Sequence, residues 1–238
     1  MRGHRKVASA FLGGIAAAPN TYVYVDGFNL FYGALRRTPY RWLDLAKLCR
    51  LYFPNDDVRK IKYFTAIVSA RPSDPDQPLR QQLYLRALQT LPEVEIFYGH
   101  FLSHPVQMPL APAPLNNPTL PSTAYLVPGG PRRAWVTKTE EKGSDVNLAA
   151  HLLSDAFTNA FDVAVLITND SDLLEPIKLV RGKLGRSVGI LNPHRHPSWV
   201  LSGAATFKKK IRPAVLAACQ FPQTLSDSNG TFHKPPRW

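Results

Sequence analysis

The stretch Val163-Ala164-Val165-Leu166-Ile167-Thr168-Asn169-Asp170-Ser171-Asp172 decides how the rest of the chain is read. It is an apolar run of strand length that stops at two carboxylates one residue apart. Helical spacing follows at once in Leu173, Leu174, Ile177 and Val180. A strand apolar on both faces belongs to a parallel sheet covered by helices on each side. In such sheets ligands bind beyond the carboxyl ends of the strands, where Asp170 and Asp172 fall.

Working outward, Tyr22-Val23-Tyr24-Val25 is a second β-prone run, closing on Asp26-Gly27-Phe28-Asn29. Leu30, Phe31, Ala34 and Leu35 then recur at helical spacing, so Asp26 ends a strand and Asn29 enters the first helical turn. Ile61 to Val68, Val94 to Phe101 and Ser187 to Leu191 read as further strands. Between them lie helices carrying Leu45, Leu48 and Cys49, then Leu83, Leu85 and Leu88. A later helix, opened by Glu140-Glu141-Lys142-Gly143-Ser144-Asp145, carries Leu148, Leu152 and Phe157. Strand and helix alternate throughout, which predicts an α/β fold with a mainly parallel, three-layer, Rossmann-like sheet.

Three segments interrupt or flank this pattern. Residues 1–20 read as a basic, flexible extension, with a short secretory signal as the lesser alternative because Ser9, Gly13 and Gly14 dilute its apolar run. Residues 104–131 carry eight prolines and read as a mobile insertion, since proline is excluded from helix interiors and central strands. Residues 219–238 read as a flexible polar tail. The domain proper is therefore expected over 21–218.

The 238-residue chain carries 29 Lys and Arg against 17 Asp and Glu, a net +12, and 45% hydrophobic residues. The apolar content supports a packed core, and the charge favours a polyanionic partner, nucleic acid before an anionic membrane. No run approaches the ~18 apolar residues that span a bilayer, so the expected setting is cytoplasmic. Cys49 and Cys219 show no metal-ligand spacing and read as buried, reduced thiols.

Asp is a common helix N-cap, and capping alone explains Asp26, Asp145, Asp170 or Asp172 taken singly. Taken together they sit at strand ends and a helix start along one rim of the sheet. Two carboxylates ~4 Å apart repel by about 4 kcal/mol at an effective dielectric of about 20, so such a group calls for a cation or raised pKa values. Hard oxygen donors without His or Cys select Mg²⁺ or Mn²⁺. An ion there would activate water for in-line phosphodiester hydrolysis.

Asp26-Gly27-Phe28-Asn29-Leu30, Glu141-Lys142-Gly143-Ser144-Asp145 and Thr168-Asn169-Asp170-Ser171-Asp172 together resemble the three signatures of the NYN domain family. These PIN-like, Mg²⁺- or Mn²⁺-dependent ribonuclease folds include the LabA/DUF88-type bacterial proteins. The resemblance runs from Thr21 to Ala218. It implies metal binding by Asp26, Asp145, Asp170 and Asp172 and a supporting polar role for Asn29, Thr168 and Asn169. The last signature departs from the usual family pattern at Asn169 and Leu173, and neither change removes a carboxylate.

The expected activity is metal-dependent ribonuclease, with RNA as partner and a homodimer left open. A catalytically silent RNA-binding module on the same fold is the first alternative. Hydroxylation of an N-heterocycle is the second: some relatives bear pyridine-ring hydroxylase names, but no Gly-rich dinucleotide fingerprint accompanies it here. Backbone contacts to RNA are expected from Arg132, Arg133, Lys142, Lys208, Lys209 and Lys210. For Lys208 to Lys210 an ordinary charged helix start is the competing reading. Trp135 could stack on bases, although packing in the insertion explains it equally. Tyr32 is expected in the core.

Overall fold

The computed structural model describes residues 17–110, 133–236 and 238. The first sixteen residues of the expected N-terminal extension, Arg132 and most of the expected insertion lie outside them.

The chain opens with β1 (Asn20–Asp26), a short helix α1 (Gly27–Leu30) and a π turn over Phe31–Leu35. Next come α2 (Leu45–Tyr52), β2 (Asp57–Thr65), α3 (Gln77–Gln89) and β3 (Val94–Tyr98). A long antiparallel ribbon follows, β4 (His100–Pro109) with β5 (Arg133–Lys142), and then α4 (Ser144–Phe157). The second half runs β6 (Val163–Ile167), a 3₁₀ turn over Ser171–Leu173, α5 (Leu174–Gly182), β7 (Ser187–Asn192), α6 (Trp199–Ala204), β8 (Phe207–Lys210) and α7 (Pro213–Ala218). A hairpin of β9 (Thr224–Asp227) and β10 (Gly230–His233) ends it.

Six strands form one parallel sheet in the order β3-β2-β1-β6-β7-β8. From β1 the chain first winds outward through β2 and β3, and after the ribbon it winds the other way from β6. The β1–β6 pair is therefore the topological switch point, where the connections diverge and leave a crevice. Pleating sends alternate residues to opposite faces. Val23, Val25, Tyr63, Val165 and Ile167 meet α1, α2, α3 and α7. Tyr24, Phe64, Ala164, Leu166 and Ile190 meet α4, α5 and α6. These are the three layers expected from the alternating pattern.

Several local expectations need correction. Proline does not bar 104–109 from β structure: Pro105 and Pro109 lie in β4, whose only partner among the described residues is β5, so their missing N–H groups can face away from the ladder. Glu140 to Lys142 do not open a helix. They extend β5, and α4 starts at Ser144, after Gly143. Gly143 has φ +98°, a left-handed conformation that glycine adopts without a β-carbon clash. Lys208 to Lys210 lie in an edge strand rather than a helix start.

The C-terminal segment, expected to be flexible, folds onto the domain instead. Phe232 of β10 is buried against Trp42, whose indole also meets Phe221 and Trp238, and Arg86 pairs with Asp227 at 2.7 Å. Polar residues between scattered aromatics hid a segment anchored by those aromatics and by one ion pair. Cys49 and Cys219 are both buried and free.

Candidate functional site

The carboxyl end of β1 delivers Asp26 into the crevice at the switch point. One of its oxygens, Oδ1, accepts from the Asn29 backbone N–H at 2.9 Å, which caps α1. The other, Oδ2, accepts from Asn29 Nδ2 at 2.7 Å and from the Thr168 hydroxyl at 3.0 Å. Thr168 lies just past β6 and its hydroxyl also accepts from the Asp170 N–H at 3.1 Å. Asn29 Oδ1 accepts from the Asn169 N–H at 3.2 Å, so α1 and the β6 loop are laced together across the switch point. Asn169 is anchored in turn by Asn192 Nδ2 and the Ser198 N–H. The short polar residues around the aspartates thus hold the loops.

Asp170 caps the 3₁₀ turn through the Asp172 N–H at 3.0 Å, and Asp145 enters from the first turn of α4. Carboxylate oxygens of Asp26, Asp145 and Asp170 lie within 4.8 Å of one another. Asp172 is exposed beside them and is not part of that close group. The capping and ligand readings are thus compatible, because Asp26 and Asp170 each cap a turn while facing the cluster.

Electrostatics separate Asp145 from the other two. Its side chain accepts no hydrogen bond and makes no ion pair among the described residues. Burial, and then the charges of Asp26, Asp170, Glu141 and Asp172, push its carboxyl up from 3.8 to about 6. Burial also raises Asp26, but the hydrogen bonds from Asn29 and Thr168 oppose it. A half-buried carboxylate facing four others, with no donor of its own, is short of one positive charge. Hard oxygen donors converging within this span suit Mg²⁺ or Mn²⁺.

The cluster opens into a pocket of about 220 Å³ lined by Phe28, Tyr32, Arg71, Glu141 and Ser144 besides Asp26, Asn29 and Asp145. Glu141 turns inward and accepts from the Ser144 N–H at 3.0 Å, so it braces the start of α4 as well as adding charge. Tyr32 is on this wall and 47% exposed, not in the core. Arg71, in the loop after β2, is the cation at this pocket, and its loop carries no motif that marks it.

None of Arg133, Lys142, Lys208, Lys209 and Lys210 lines the acidic pocket. Arg133 donates to the Gln107 carbonyl at 3.3 Å on the ribbon, and Lys142 pairs with Glu140 at 3.5 Å. Lys210 donates to the Arg195 carbonyl at 3.0 Å, Lys209 lies 4.6 Å over the Phe53 ring, and Lys208 is exposed. Trp135 stands out from the ribbon, 72% exposed. No described helix is long and apolar enough to cross a membrane.

The fold and the acidic crevice agree with two matches to known sequences. The model of the NYN domain matches residues 112–209, a span that includes Asp145, Asp170 and Asp172 and begins after Asp26. A curated relative is 31% identical over 242 residues, covering 92% of this chain and 75% of its own length. The chain belongs to the NYN domain family, a PIN-like nuclease family. That relative is 6-hydroxy-3-succinoylpyridine 3-monooxygenase HspA of Pseudomonas putida. Among solved structures, a protein of unknown function from Vibrio parahaemolyticus is similar with a TM-score of 0.50. The two share 16% identity over 83% of this chain and 96% of the other, a likeness of fold alone.

Proposed function

We propose that the chain is a divalent-metal-dependent ribonuclease, with Asp26, Asp145 and Asp170 holding Mg²⁺ or Mn²⁺. The observation that carries this reading is the convergence of three carboxylates within 4.8 Å, one of them, Asp145, accepting no hydrogen bond among the described residues. When bound, such an ion polarises a phosphoryl oxygen and lowers the pKa of a water it coordinates. The protein's own part is positional. Asn29 and Thr168 fix both oxygens of Asp26, the turn at Asp170 fixes a second carboxylate, and the start of α4 presents the third. Asp172, exposed at the rim beside them, would engage such an ion through water rather than directly. The net charge of +12 supports attraction of a polyanion to an otherwise acidic centre.

Purified protein should cleave RNA only with Mg²⁺ or Mn²⁺, and Asp26→Asn and Asp145→Asn should each lower cleavage at least a hundredfold. Cleavage in EDTA at the metal-supported rate would exclude the reading.

A second reading, oxygenation of an N-heteroaromatic acid, is favoured by one observation, the name of the Pseudomonas putida relative. Oxygen consumption on adding 6-hydroxy-3-succinoylpyridine and a two-electron donor tests it, and no consumption dismisses it.

A further inference from the structure

Next to the acidic pocket lies a larger cavity of about 340 Å³ that shares Phe28, Tyr32, Val68 and Arg71 with it. Its volume falls within the ~300–1,000 Å³ of small-ligand sites. Three features set what it can hold.

The first is aromatic: Phe28, Phe31 and Tyr32 form one wall, and Tyr63 and Tyr84 line the interior. Rings at such a surface prefer a flat partner, stacked or edge-on. The second is a stranded donor. Tyr63 is 6% exposed, and its hydroxyl has no hydrogen-bond partner among the described residues. Tyr84, beside it, is satisfied by the Leu43 carbonyl at 3.0 Å. A β-carbon on Gly27 would stand 2.7 Å from the Tyr63 hydroxyl, so glycine is what leaves that group room. A hydroxyl that opens into a cavity and meets no protein partner is free to bond a ligand atom there.

The third is charge. The lining holds four arginines against one aspartate, Asp74, which is paired with Arg80 at 2.5 Å. Arg36 and Arg71 have no carboxylate partner among the described residues, and Arg36 lies 5.3 Å over the Tyr32 ring. Guanidinium groups favour carboxylate and phosphate through paired hydrogen bonds. The wall shared with the acidic pocket puts a bound molecule within reach of Asp26 and Asp145.

We propose that this cavity binds one planar aromatic anion, with its ring against Phe28, Phe31 and Tyr32, a polar ring atom on the Tyr63 hydroxyl and its anionic group on Arg36 and Arg71. Its reactive end then faces the carboxylate cluster, so the proposal deepens the metal-site reading and rests on it for chemistry. Two sources share this ligand chemistry: the terminal nucleotide of an RNA strand and a free heteroaromatic acid.

The test is calorimetric titration of the full chain in EDTA with uridine 5′-monophosphate and, separately, with pyridine-3-carboxylate. At least one probe should bind saturably with one-to-one stoichiometry. Its Kd should rise tenfold or more in Arg36→Gln and in Arg71→Gln, and about threefold or more in Tyr63→Phe. Both arginines are exposed, so circular dichroism should show these variants folded. Tighter binding of the nucleotide assigns the cavity to a strand end, and tighter binding of the pyridine acid assigns it to a free acid. Saturation by neither probe at millimolar concentration overturns the proposal, as does binding indifferent to both arginine substitutions. The titration contains no metal, so its failure and a failure of metal-dependent cleavage are separate results.

Discussion

Asp145→Asn should make the metal-free protein more stable at neutral pH. The Asp145 carboxyl is pushed from 3.8 to about 6 in the folded chain, chiefly by burial and then by the neighbouring carboxylates. A displacement of that size corresponds to roughly 3 kcal/mol at ~1.36 kcal/mol for each pH unit. Water still reaches this half-buried group, and screening reduces the figure to about 1–1.5 kcal/mol. The sign follows from proton binding. The folded state holds this proton more tightly than the unfolded state, so stability falls as pH rises from about 4 through about 6 and levels off above that.

Asparagine removes the charge while keeping the shape, and no hydrogen bond to the carboxylate is lost. At pH 7.5 in EDTA the variant should therefore melt about 2–6 °C above the unsubstituted protein, at ~2–4 °C per kcal/mol for a chain of this size. The advantage should vanish near pH 4. Adding Mn²⁺ should reverse the order, because an ion at 100 times its Kd stabilises its site by about 2.7 kcal/mol, and the variant lacks one ligand. Differential scanning calorimetry at pH 4 and 7.5, with and without Mn²⁺, measures all four states. A variant less stable than the parent in EDTA at pH 7.5, with equal gains from Mn²⁺ in both, would refute the electrostatic account of the cluster.

Three further expectations concern the scaffold. Gly27→Ala places a β-carbon 2.7 Å from the Tyr63 ring and 2.8 Å from the Phe64 carbonyl; chemical denaturation should show a loss of about 1–3 kcal/mol. Phe232→Ala should cost about 3–5 kcal/mol and expose the 224–233 hairpin to proteolysis, which an unattached tail would not show. Lys62→Met should cost about 3 kcal/mol in urea denaturation, since it takes the cation at 2.6 Å from the largely buried Asp155, which keeps the Tyr24 hydroxyl at 2.6 Å but loses its charge partner.

The parts of this molecule that were legible in the sequence are those whose signal is local. Val163 to Ile167 is apolar on both faces because it is a central strand, and its end marks Asp170 without reference to anything distant. Asp26 is marked in the same way by Tyr22 to Val25. Features that depend on tertiary partners were not legible. Pro105 signals a loop until β5 pairs with one side of its strand. Phe232 and Trp238 look isolated until Trp42 gathers them. Asp145 was expected at the rim, but Glu141 joins it at the pocket because the chain turns at Gly143. Arg71 and Tyr63 carry no local pattern, and only the folded cavity relates them. Asp170 and Asp172 look equivalent in sequence, yet the turn between them points one toward the cluster and leaves the other exposed.

The central claim is that Asp26, Asp145 and Asp170 share one divalent-cation site. Anomalous diffraction from a crystal soaked in Mn²⁺ tests it most directly. The account predicts a peak in the crevice beyond β1 and β6, about 2–2.5 Å from a carboxylate oxygen of each of the three. A crevice without a peak, or Mn²⁺ bound by exposed carboxylates elsewhere, would contradict it.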